Sequence, residues 1–146
     1  MERKRHFSGA RWEPEVAYCR AIRAGDLVFV SGSAPVARGG GVEAPGDAYG
    51  QARRCIEIIE EALAALGARL SDVVRTRMFV TDGSRWAEYG RAHREAFGAH
   101  PPATSMVEVR ALLDPGWLVE IEADAVVARA RRRPRSRPGR PGRRSR

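Results

Sequence analysis

Apolar positions recur along the chain with two different periods, and the switches between them mark out the elements. Tyr18 to Arg23 and the denser run Leu27 to Ser31 predict a hairpin around Ala24, Gly25 and Asp26, with Gly32 ending its second strand. Pro35 to Gly46 carries Gly39, Gly40, Gly41, Pro45 and Gly46 and predicts a mobile loop, after which Asp47 is the expected helix cap. Ala48, Ala52, Cys55, Ile56, Ile59, Ala62, Leu63 and Leu66 then fall at helical spacing, and Gly67 stops that helix. Val74 to Thr81 predicts a strand with Val74, Thr76, Met78 and Val80 on one face and Arg75, Arg77 and Phe79 on the other. A second helix is expected from Ser84 through Phe97. Two further strands, Ala103 to Val109 and Leu118 to Val127, flank a turn with Asp114, Pro115 and Gly116. In the last strand Val119, Ile121, Ala123 and Ala125 share one face, leaving Glu120, Glu122 and Asp124 on the other.

This order of elements is an α/β arrangement with two helices for one sheet, and two helices cover only one face. The opposite face is expected to carry Arg75, Arg77, Glu120, Glu122 and Asp124 with Phe79 and Met106. That mixture is too polar for a core and too apolar for plain solvent surface, which predicts a subunit interface.

At 146 residues and 43% hydrophobic content the chain suits one domain. Its formal charge of +8 suggests nucleic acid until it is located: residues 129 to 146 hold ten arginines and no acid, so the remainder carries 8 − 10 = −2. The tail, rich in proline and glycine, is expected to be disordered, and attraction to phosphates is expected from it alone. Cys19 and Cys55 form no disulfide framework or metal pattern and are read as reduced thiols. The basic N-terminus is followed by no apolar signal region and no run is long enough to span a membrane, so a cytoplasmic protein is expected. His6, His93 and His100 lack ligand spacing, which leaves His93 as a packed or solvated ring on the second helix. The glycine run does not continue into a phosphate-binding motif, and neither metal nor cofactor is expected.

Several segments together resemble one family. Val28 to Val36 (VFVSGSAPV), the helix QARRCIEIIEEAL, Asp72 to Asp82 (DVVRTRMFVTD), HPPATSMVEV and VEIEADAVV are similar to the Rid, or YjgF-like, reactive intermediate deaminases over residues 14 to 128. Residues 1 to 13 are then an N-terminal extension and 129 to 146 a tail. The resemblance implies a chorismate-mutase-like fold and a homotrimer with small-molecule clefts between subunits. It implies hydrolysis of 2-imino acids or their enamines to 2-keto acids and ammonia. Carried over residue by residue, Tyr18 is the cleft tyrosine, Ser31 and Gly32 the SG pair, and Glu120 the glutamate that positions water. Met106 is a further cleft contact.

Thr104 stands where such deaminases carry a carboxylate-binding arginine. A hydroxyl gives one neutral hydrogen bond where a guanidinium gives two charge-assisted ones, each worth about 1.5 to 3 kcal/mol. Carboxylate capture is therefore expected to weaken. Arg110, six residues along the same run, is about 20 Å away at roughly 3.3 Å per residue, and Arg75 and Arg77 are the alternative cations. Thr104 is either a contact adapted to a substrate without a carboxylate or a β-branched filler. Glu120 is either a water-holding base or an interface ion-pair partner, and Tyr18 either a cleft contact or a hairpin aromatic. A non-catalytic metabolite-binding or chaperone-like trimer, and an RNA-binding or ribonuclease activity, are the other functions the sequence allows.

Overall fold

The strand periods of the sequence meet in one six-stranded mixed sheet in the computed structural model, which describes residues 1–127. The strands are β1 (Arg3–His6), β2 (Ala21–Ala24), β3 (Leu27–Ser33), β4 (Val73–Val80), β5 (Ala103–Glu108) and β6 (Val119–Val126), and the helices are α1 (Trp12–Val16), α2 (Ala48–Ala65) and α3 (Trp86–Phe97). Their order across the sheet is β1-β2-β3-β6-β4-β5. All neighbours are antiparallel except β4 and β5, whose parallel pairing needs the crossover that α3 supplies. The arginine-rich tail expected to be disordered lies outside the described residues.

The β2–β3 hairpin closes as Ala24 pairs with Leu27 around Gly25 and Asp26, with Gly25 at φ +64°, where a side chain would be strained. Asp47 caps α2 by accepting from the Gly50 N–H at 2.9 Å, and Gly67 at φ +74° follows its last turn. Helix α2 lies on β3 and β6 and packs against α3, burying Cys55, Ile59 and Leu63 over Val28, Val30, Met78 and Ile121. Full burial of each such side chain contributes about 1.5 to 3 kcal/mol. Burial pushes the Cys55 thiol well above its ordinary pKa, so it is an inert core group.

Five expectations change. Among the described residues there are three α-helices: Trp12–Val16 winds a short one that Ala17 ends at φ 62°. Within the segment read as an N-terminal extension, Arg3–His6 pairs with Ala24–Ala21 as an edge strand. Val74 is 47% exposed instead of facing the core, because an irregularity in the β4–β6 ladder between Val73 and Arg75 gives the inward position to Val73. Met106 pairs with core-facing Met78 and packs against the core, so it belongs to the helix-covered face and not to the face with Glu120. Within the Pro35 to Gly46 stretch, expected to be mobile, Val36 and Val42 form an isolated bridge, and Arg54 Nε donates to the Val36 carbonyl at 2.8 Å. Among the described residues no helix is long and apolar enough to cross a membrane.

Gln51, fully buried on α2, fastens two loops to that helix. Its Nε2 donates to the carbonyls of Gly116 at 2.9 Å and Ala44 at 3.4 Å, and its Oε1 accepts from Leu118 N–H at 2.7 Å. Gln51→Leu keeps the volume but strands those backbone groups, each costing about 1 to 3 kcal/mol when buried and unpaired. The expected loss is at least about 2 kcal/mol, read as a lower midpoint in urea unfolding.

Candidate functional site

Position along β3 and β6 decides which of the sequence-predicted residues meet. Pairing runs Val30 with Ala123 and then Ser33 with Ile121, so three steps along β3 match two along β6. The extra residue makes Ser31 and Gly32 a bulge, a feature that re-aims side chains beside functional sites. A Cβ at Gly32 would collide with Glu120 Oε1, so only glycine lets that carboxylate lie against the β3 backbone.

Around the bulge the chain assembles Tyr18, Arg20, Ser31, Gly32 and Glu120. Arg20 Nη2 donates to the Gly32 carbonyl at 2.7 Å, and the Arg20 guanidinium lies 5.6 Å from the Tyr18 ring centre. Ser31 Oγ donates to the Cys19 carbonyl at 2.8 Å, which spends its proton and leaves it an acceptor. Arg20 is 8% exposed, and its Nε, fully enclosed, has no hydrogen-bond partner. Burial raises the Glu120 carboxyl above its ordinary pKa; Arg20 opposes this and Glu122 reinforces it. Glu122 and Asp124 are held elsewhere, sharing Arg77 Nη1 at 2.9 and 3.3 Å.

Thr104 and Met106 do not join this group. Thr104 pairs with Thr76, a fully buried core-facing residue, and accepts a hydrogen bond from Thr76 Oγ1 at 2.7 Å. Thr76 Oγ1 also lies 2.8 Å from His93 Nε2 on α3, and the His93 ring stacks at a tilt on Phe97, 4.6 Å between centres. Glu120 is opposite Phe79 and Thr104 opposite Thr76, three residues further along β4 and on the far neighbour strand. At about 3.3 Å per residue and about 4.8 Å per strand their Cα atoms are about 14 Å apart, with side chains on opposite faces. One small molecule cannot touch both in one protomer.

Sequence reading missed Arg20, Thr76 and His93 as members of these clusters. For Arg20 a signal was available, since it is two residues from Tyr18 and a strand period puts the two on one side. Thr76 and His93 carried none, because their meeting depends on where α3 lands. Among the described residues no group of three or more His, Cys, Asp or Glu is placed to hold a metal.

The chain matches the family described as Endoribonuclease L-PSP over residues 8–127. It is 33% identical over 122 residues to an uncharacterised protein of Streptomyces coelicolor, covering 84% of this chain and 90% of that protein. It is 34% identical over 117 residues to the 3-aminoacrylate deaminase RutC of Acinetobacter baylyi, covering 78% and 90%. Among solved structures it is similar to Rv2704 of Mycobacterium tuberculosis, a member of the YjgF/YER057c/UK114 family, with TM-score 0.79, 49% identity and coverage of 86% of this chain and all of that one.

The Arg20 charge opposes the upward pull of burial on Glu120. Arg20→Gln is therefore expected to raise the Glu120 pKa further, read by carbon NMR titration of the carboxyl. The raised value means the folded state binds a proton more readily than the unfolded one, so ionising Glu120 costs stability as pH rises through its folded pKa. The variant is expected to steepen that loss.

Proposed function

Since the chain belongs to the Endoribonuclease L-PSP family of YjgF-like proteins, we propose that it hydrolyses a small reactive imine or enamine, releasing ammonia, in clefts between the subunits of a homotrimer. The observation that carries this reading is the half-buried Glu120 carboxylate set against the Ser31–Gly32 bulge beside Arg20. In that setting Glu120 accepts a proton from water as the water oxygen bonds to the C=N carbon. The nitrogen takes up protons, the C–N bond breaks, and a carbonyl compound and ammonia leave. A base whose pKa is raised toward neutrality suits this step better than an exposed carboxylate. The deaminase named among the relatives supports the reaction class.

An intersubunit cleft is favoured by the roughly 14 Å separation of Glu120 and Thr104 on opposite sheet faces. A second copy, bringing its β5 edge to the first copy's Glu120 face, is the arrangement in which both contact one substrate. That face also exposes Leu27, Phe29 and Val107, apolar area that association would cover.

Glu120→Gln removes the base and is expected to lower kcat at least about 100-fold, measured as ammonia release from imines generated in place. In the wild-type protein activity is expected to rise with pH through the raised Glu120 pKa, because the ionised form is the base. Thr104→Arg is expected to raise kcat/KM for 2-iminopropanoate about ten-fold or more by restoring charge-assisted capture of the carboxylate. Ligand binding without turnover, unchanged in Glu120→Ala, would point instead to a non-catalytic binding protein, and a monomer in sedimentation would remove the cleft.

A further inference from the structure

The helix-covered side of β5 carries a second polar cluster, built from Thr76, Thr104 and His93. Thr76 is fully buried and has one hydroxyl proton, which it donates to Thr104 Oγ1 at 2.7 Å. The tautomer that completes this chain at the 2.8 Å contact with His93 is the one with its proton on Nε2. Hydrogen bonds thus run one way, from the half-buried His93 ring through Thr76 to Thr104 on the exposed edge strand. The Thr104 oxygen is used as an acceptor, which leaves its own proton available to donate. Consecutive hydrogen bonds polarise one another, which makes that terminal hydroxyl a better donor than an isolated one.

The cluster is also uncharged. Burial holds the His93 imidazole below its ordinary pKa. From this cluster a carboxylate reaching Thr104 receives one neutral donor in place of a charge-assisted pair, whereas the carbonyl oxygen of an amide or ester needs only such a donor.

We infer that Thr104 is a specificity-determining donor for an uncharged carbonyl group, with Thr76 and His93 as the positioning residues that fix its direction. The site then takes an imine or enamine bearing an amide or ester in place of a free carboxylate. This deepens the hydrolytic reading above and rests on it for the identity of the reaction.

Calorimetric titration of the full chain with pyruvamide and with pyruvate tests the inference without turnover. Pyruvamide is expected to bind about ten-fold more tightly than pyruvate. Thr76→Val and His93→Phe are expected to weaken pyruvamide about five-fold and leave pyruvate unchanged, while His93→Gln, whose amide nitrogen can stand where Nε2 stood, retains the preference. Nitrogen NMR of the unaltered protein is expected to show His93 with its proton on Nε2, a readout that a variant failing to fold cannot obscure. Pyruvate binding as tightly as pyruvamide, binding of neither, a proton on Nδ1, or an unchanged preference in His93→Phe would each overturn the inference. Intact preference for pyruvamide together with no ammonia release from any imine would instead sink the hydrolytic reading.

Discussion

Because side chains alternate along a strand, the residues of β6 that seal the core with Val119, Ile121, Ala123 and Ala125 must turn Glu120, Glu122 and Asp124 to the other face. β6 lies between β3 and β4, so this alternation is imposed on the middle of the sheet. The apolar side is met by α2 and its buried stripe. The Glu120 site follows from that division: a row of carboxylates needs cations, water or a partner, and Glu120 finds a different setting from Glu122 and Asp124.

Two of the acids are settled by one arginine. Arg77, opposite Glu122 in the β4–β6 ladder, reaches both Glu122 and Asp124. These groups are roughly a third exposed, so the pairs contribute little to stability and act mainly to neutralise the row. Glu120 is different. It faces a backbone bulge, lies near a buried guanidinium without a close ion pair, and is pushed toward its protonated form by burial.

The sheet also separates two kinds of chemistry. The Glu120 side offers a titratable base and a cation, while the Thr104 side offers a neutral chain of hydroxyls ending in an imidazole. Thr76, at the centre of β4, is what connects the edge strand to α3. Its burial is tolerable because its hydroxyl makes two hydrogen bonds. Where a guanidinium would carry its own charge and geometry to the site, a threonine needs neighbours to orient it, and the fold supplies them.

Much of this was legible in the chain itself. Period and punctuation placed the long helix, its Asp47 cap, the β2–β3 hairpin, β5 and β6, and the motifs identified the family, because these depend on neighbouring residues and on local backbone preference. The acidic face of β6 followed from the strand period alone. Tertiary structure decided what alternation cannot reach. An irregularity at Val73–Val74 swapped which valine faces the core, and the parallel register of β4 with β5 put Thr104 and Met106 on the helix side. The landing of α3 brought His93 to Thr76, and the bulge at Ser31–Gly32 set Arg20 and Glu120 together. The sequence by itself determined which residue types were present and how each element was patterned. Only the register between strands and the docking of helices, set by long-range packing, determined which of those residues share a site.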